Sequence, residues 1–183
     1  MSQFYTRNGD NGNTGLLGKG RVSKDDPQLE AVGAIDEANA ALGVARAFCK
    51  SPQIPPILLT IQKDLYKLMA EVAATPDNAA QFRSISGENV TWLEEQTDRM
   101  STPLETSGEF IVPGDTASGT FLDLARTIVR RAERRLVHLW QCNRLSNKAL
   151  LQYLNRLSSL LFVLELSENQ YIGDAPPTLA KES

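Results

Sequence analysis

Leu150–Leu164 reads LLQYLNRLSSLLFVL. Leu150, Leu154, Leu157, Leu161 and Leu164 recur at steps of three and four, with Leu151 and Leu160 beside them. That is the period of an α-helix with a wide apolar face; a strand would alternate. The predicted helix runs from about Asn147 to Glu168, and so wide a face needs several partners to bury it. Asn155 and Arg156 interrupt the leucines. Asn155 has two readings: an amide that hydrogen-bonds a ligand, or a satisfied amide at the edge of the core.

The partners are helical too. Pro27, after Asp25 and Asp26 as candidate caps, opens a helix to Phe48, with Ile35, Ala38, Leu42 and Ala45 on one side. SPQIPP breaks it, and Ile57, Leu58, Ile61, Leu65, Leu68, Met69 and Val72 form a second helix ending near Pro76. Residues 77–85 read as a loop. Ser86 with Asn89 is a weak start for a third helix through Val90, Leu93 and Met100. A long irregular stretch follows, with Phe110, Ile111 and Val112 extended before Pro113. The fourth helix spans about Ser118 to Trp140. The prediction is all-α: a five-helix bundle with a four-helix-bundle-like core, a glycine-rich loop over residues 1–26, and a frayed tail from about residue 170.

Composition fits one domain. The chain has 183 residues, 42% hydrophobic and 22% charged, with net charge −3. Nothing global draws it to nucleic acid or an anionic membrane. No apolar run has the length of a membrane span, and no signal or transit pattern opens the sequence, so a cytoplasmic location is expected. Cys49 and Cys142 lack C-x-x-C spacing and read as reduced core thiols, with no protein metal site expected. No helix carries an E-x-x-H pair, which excludes a di-iron bundle.

The fourth helix carries chemistry in LARTIVRRAERR, Leu124–Arg135. With Arg126 at zero on a helical wheel, Arg130 falls at about 40°, Arg134 at about 80° and Glu133 at about −20°. Leu124, Ala125, Ile128, Val129, Ala132, Leu136 and Leu139 occupy the opposite side, and Arg131 and Arg135 point away from both. Three cations along one stripe repel one another. A polyanion would offset this, and guanidinium forks match phosphate oxygens two at a time. A solvated charged face or intersubunit ion pairs would use the same residues. Asp36, on the first helix, is a candidate partner for one of the arginines.

The head, TRNGDNGNTGLLGKGR at Thr6–Arg21, has five glycines. It is not a Walker A loop: Asn13 stands where the first glycine belongs, and Gly20 where Ser or Thr follows the lysine. Its ingredients still suit phosphate. Glycine amides can line a nest, Thr6 and Thr14 bring hydroxyls, and Lys19 and Lys24 bring charge. Asp10 suits a Mg²⁺ or its water shell. A flexible linker is the plain alternative.

Four blocks together resemble the PduO-type ATP:cob(I)alamin (corrinoid) adenosyltransferases: YTRNGDNGNTGLLGKGRVSKDD, VGAIDEANAALGVA, FIVPGDTASGTFLDLARTIVRRAERR and LLQYLNRLSSLLFVL. The resemblance implies a homotrimer with active sites between subunits. It implies transfer of the 5′-deoxyadenosyl group of ATP to cob(I)alamin, with Mg²⁺, giving adenosylcobalamin and triphosphate. It assigns Thr6, Arg7, Gly9, Asp10, Gly12, Thr14, Lys19 and Lys24 to ATP, joined by Arg130, Glu133, Arg134 and Asn155. Asp36 and Arg126 resemble an intersubunit ion pair near the corrin. Phe110 resembles the aromatic that crowds the lower face of cobalt. The implied catalytic set is Arg130, Arg134, Lys19, Asp10 and Phe110. Implied partners are a cob(II)alamin reductase or flavoprotein donor and a cobalamin-dependent acceptor enzyme.

The chain departs from the family pattern at Asp115, usually glycine, at Asp123, usually histidine, and at Asn8. His138, the one histidine, reads as structural. Co(I) is itself a strong nucleophile, so the implied reaction asks for cations around a leaving triphosphate rather than a protein nucleophile or base. Two other classes stay open: an ATP or cobalamin carrier or sensor on the same bundle, and a helical scaffold with a solvated charged face.

Overall fold

The computed structural model describes residues 4–5, 7–104, 110–173 and 177–181. A short hairpin, β1 (Asn13–Gly15) and β2 (Arg21–Ser23), precedes α1 (Pro27–Phe48), α2 (Ile54–Ala73), α3 (Ala79–Phe82), α4 (Gly87–Ser101), α5 (Ala117–Gln141) and α6 (Lys148–Ile172). Five of these helices are long, as expected, and α3 is a single turn in the predicted loop.

The caps explain the boundaries. Asp26 accepts from Gln28 N at 2.8 Å with Pro27 behind it, so α1 starts as read. Ser86 and Asn89 form a reciprocal capping box on α4. Thr116 and Asn147 cap α5 and α6. Helix α2 starts at Ile54, earlier than the pattern suggested. Pro55 and Pro56 sit in its first turn, where their missing N–H groups cost no helical bond.

Helix α5 packs on α1 and α6; α2 packs on α1, and α4 on α6. Leu150, Leu154, Leu157, Leu160, Leu161 and Leu164 are buried between them with Ile35, Leu42, Leu65, Val129 and Leu136. Leu124, expected in the core, is instead 52% exposed. Its flank of α5 lies outside the seams that α1 and α6 cover.

The bundle's two ends are tied differently. At one end the buried carboxylate of Glu168 accepts from Lys50 N at 2.6 Å, Ser51 N at 3.0 Å and Ser118 Oγ at 2.7 Å. This fastens the end of α1, the start of α5 and the end of α6. At the other end Arg144 donates to Asp26 at 2.8 Å and to Gln28 at 3.0 Å, and Gln28 Nε2 donates to Val72 O at 2.7 Å.

Three readings need correction. The glycine-rich head lacks a strand period, yet it forms the hairpin, with Asn13 opposite Ser23 and Thr14 opposite Val22. Helix α6 runs four residues past Glu168, and the tail returns. Val112 N donates to Thr178 O at 2.7 Å and Ala180 N to Phe110 O at 2.8 Å. Cys49 is half-buried and Cys142 exposed, so they are not both core thiols. Burial, then the Glu168 charge, pushes the Cys49 thiol up to about 12, which keeps it inert at neutral pH.

Candidate active site

The hairpin is seated on the end of α2. Leu17 N donates to Ala73 O at 2.9 Å, and Thr75 N donates to Leu17 O at 3.1 Å. Gly18, at φ +150°, lies so close to Thr75 that a Cβ there would overlap its hydroxyl. Arg21 locks the turn from beneath: its Nη2 donates to Asn8 O and Asn13 O, each at 2.6 Å. Gly12, at φ +80°, supplies the bend that lets Lys24 N reach Gly12 O at 2.9 Å. A Cβ on Gly9 would stand 3.1 Å from Lys24 Nζ, so the ammonium lies directly on the Gly9 backbone. Arg7 takes a left-handed φ of 61° and stacks over Tyr5 at 5.4 Å. The side chains of Asp10 and Lys19 are exposed and make no hydrogen bond or ion pair among the described residues. Thr14 is half-buried on β1. Thr6 lies outside the described residues.

On α5 the arginines divide as the wheel divided them. Arg131 pairs with Glu37, and Arg135 with Glu30 at 3.1 Å, both acids on α1. Arg156 on α6 pairs with Glu94 at 2.7 Å. Arg130 and Arg134 are exposed and have no acidic partner among the described residues. Glu133, between them in sequence, accepts from Asn155 Nδ2 at 3.0 Å in an exposed contact. Arg126 is held within the chain by Asp123, through Nε at 2.7 Å and Nη2 at 2.6 Å. Asp36 is exposed and partners none of the arginines inside the chain; the acids of α1 that do so are Glu30 and Glu37.

Direction along α5 orders these groups. Arg126 to Arg134 is eight residues, about 12 Å of helix. Arg134 lies toward the hairpin end and Arg126 toward the end tied by Glu168. Exposed apolar side chains gather at the latter: Phe110, Val112 and Leu124, with Val44 and Phe48 from α1. Phe48 meets the half-buried Phe121 at 5.0 Å between ring centres. Phe110 is 87% exposed, its backbone pinned by the returning tail. Unpaired cations thus lie toward one end and open apolar surface at the other. That surface suits a large apolar ring, and the cations suit a polyanion.

One group escaped sequence reading. Glu165 is fully buried at the apolar end. Burial, then the charge of Asp123, raises its carboxyl to about 7; Arg126 opposes this and Asp115 adds to it. Asp115 accepts from Thr178 N at 3.1 Å and Thr178 Oγ1 at 2.7 Å. An acid one turn after Leu161 on the leucine face was the available signal. His138 is exposed, with Nε2 4.0 Å from Cys142 Sγ, and takes no part in this arrangement. No group of three or more acids, histidines or cysteines suited to a metal occurs among the described residues, and no described helix is long and apolar enough to cross a membrane.

Comparison with known proteins gives a consistent result. A family model for cobalamin adenosyltransferase matches residues 4–168. The corrinoid adenosyltransferase PduO of Citrobacter freundii is 40% identical over 168 residues, 91% of this chain. The chain spans about half the length of that relative, 50%, and 49% of its Salmonella typhimurium counterpart. It covers 92% of a corrinoid adenosyltransferase from Mycobacterium leprae, at 38% identity and 92% of this chain. Among solved structures, a phenylalanine-to-alanine variant of the PduO-type ATP:corrinoid adenosyltransferase of Lactobacillus reuteri, complexed with cobalamin and ATP, superposes with a TM-score of 0.91. The identity is 32%, covering 98% of this chain and 100% of that one. An arginine-to-lysine variant complexed with ATP gives a TM-score of 0.88 at 32% identity, over 97% and 99%.

Proposed function

The chain belongs to the cobalamin adenosyltransferase family, and from that premise we propose that it transfers the 5′-deoxyadenosyl group of ATP to cob(I)alamin, releasing triphosphate. The observation that carries this reading is the pair Arg130 and Arg134. Each neighbouring arginine has an acid of its own: Arg126, Arg131, Arg135, Arg144 and Arg156. The two that lack one among the described residues share the face with Glu133 and Asn155, and an incoming polyphosphate would supply the missing charge.

In the reaction the electron pair of Co(I) attacks C5′, a Co–C bond forms, and the C5′–O bond breaks. Triphosphate leaves with the electrons of the broken C5′–O bond, so negative charge grows where Arg130, Arg134 and Lys19 can meet it. The hairpin's Gly9, Gly12, Thr14 and Lys24, with Arg7 and Thr6, form the other wall of the nucleotide site. Among the described residues Asp10 and Lys19 make no hydrogen bond or ion pair with Arg130 or Arg134. In the proposed reading the site is assembled between neighbouring subunits of a homotrimer, with Asp36 of one chain reaching Arg126 of the next.

Mg²⁺ fits only in part. Asp10 is a free, exposed hard-oxygen donor, and no acidic cluster stands near it among the described residues. The ion would be held by Asp10 together with phosphate oxygens, as is common for this metal. When bound it would neutralise charge on the leaving triphosphate.

The apolar end would take the corrin, with Phe110 keeping water or a base off the lower axial position and so easing reduction of Co(II). A cob(II)alamin reductase or flavoprotein would supply that electron, and a cobalamin-dependent enzyme would accept the product, in the cytoplasm.

The test is spectral. Cob(I)alamin, prepared anaerobically, is mixed with the protein and MgATP while the Co(I) band and the adenosylcobalamin spectrum are followed. Equal amounts of adenosylcobalamin and triphosphate are expected. Bound ATP with neither product would leave a carrier or sensor as the better reading.

A further inference from the structure

Glu165 and Asp123 face each other under Arg126, and their chemistry constrains them. Neither oxygen of Glu165 receives a hydrogen bond from a donor among the described residues. Its side-chain hydrogen-bond neighbour is Asp123, another carboxyl. Two carboxyl groups with no donor between them are joined only if one carries a proton. Asp123 already accepts twice from Arg126, at 2.6 and 2.7 Å, so the guanidinium engages it as an acceptor. The proton therefore belongs to Glu165, and burial supports the same assignment.

The surroundings offer no competing arrangement. The charges that act on Glu165 are Asp123 and Arg126 from α5 and Asp115 from the segment before it. Glu168, three residues on, is committed to Lys50, Ser51 and Ser118. Asp115 is committed to Thr178. Arg126 Nη1 has no partner among the described residues, so Asp123 occupies one edge of the guanidinium and leaves the other free.

We propose that Asp123 is a positioning residue that aims Arg126 at the corrin side of the site, and that Glu165 latches Asp123 in place by donating its carboxyl proton. Loss of that proton sets a buried carboxylate beside the half-buried one of Asp123, and the guanidinium then divides between them. The functional half of this inference rests on the adenosyltransferase reading; the protonation half does not.

The experiment has two arms, both on the full-length assembled protein. In the first, glutamate carboxyls are ¹³C-labelled and titrated by NMR without substrate, with Glu165→Gln identifying the resonance. Glu165 is expected to titrate near neutrality, and Asp123→Asn to lower its midpoint by about one unit or more as Arg126 turns to it. A midpoint in the ordinary carboxylate range, or one that Asp123→Asn leaves unmoved, overturns the proposal whatever the enzyme does. The second arm is steady-state kinetics from about pH 6 to about pH 9. Asp123→Asn is expected to raise KM for cob(I)alamin about tenfold with KM for ATP within about twofold. The wild-type corrin KM should climb across the range, and that of Glu165→Gln should stay flat. Parallel pH profiles for these two proteins would also overturn it. Wild type that makes no adenosylcobalamin at any pH would sink the proposed function, and the titration would still decide the latch.

Discussion

Asn155 Nδ2 lies 3.0 Å from Glu133 Oε1, bridging α6 and α5 on the face that carries Arg130 and Arg134. The contact is exposed, so it adds little to stability. Its value is positional: it fixes a carboxylate on the face of two cations that have no acidic partner among the described residues.

Asn155→Ala should therefore leave the unfolding midpoint nearly unchanged and raise KM for ATP by about three- to tenfold. Glu133→Ala should do the same, and the double variant should fall short of the sum of the two. Additive effects would show that the pair does not act as one unit.

Arg130→Ala is expected to lower turnover by about 10²–10³-fold with the assembled state intact by size-exclusion chromatography. Arg130→Lys should recover only part of the loss, since a lysine cannot present the guanidinium fork. A variant of normal rate would remove Arg130 from the phosphate site.

Phe110→Ala should slow adenosylation starting from cob(II)alamin by more than about tenfold, with KM for ATP within about twofold. The exposed ring makes no core contact to lose, so stability should hold. Lower ATP affinity with unchanged turnover would contradict a role beside cobalt.

Glu165 makes a stability prediction with a definite sign. Burial and Asp123 raise its carboxyl from 4.5 to about 7 in the folded chain. Between those values the folded state binds more protons than the unfolded one. The contribution is complete below the lower value and is lost as pH rises to the upper. The loss is on the order of 3 kcal/mol. Urea unfolding of wild type minus Glu165→Gln should therefore fall across that window and level off above it. A flat difference curve would mean that Glu165 titrates normally.

Particular residues show what the sequence makes legible. The leucine period of α6 and the alanine and leucine spacing of α1 are local: α1 forms over the expected span, and α6 forms there and continues to Ile172. The wheel separates Arg130 and Arg134 from Arg131 and Arg135, because angle on one helix needs no tertiary knowledge. The partners Glu30 and Glu37 depend on how α1 crosses α5, which no local pattern encodes. Leu124 was assigned to the core for the same reason. The hairpin escaped because three-residue strands are too short to show a period. Pro55 and Pro56 were read as a break because the same residues serve inside a first turn. The pairing of Leu179 with Ile111 joins residues far apart in the chain. Glu165 was hidden by a reading that followed only the leucines around it.

The seat of the hairpin on α2 has a consequence for genetics. Leu17 is bonded on both sides of the end of α2, and Gly18 touches Thr75. A screen for loss of nucleotide use would thus recover lesions at Ala73 or Thr75, outside both the hairpin and the arginine face of α5. Such alleles would look like binding mutants while being defects of a hinge-free joint, and second-site suppressors should map to the hairpin rather than to the arginines of α5.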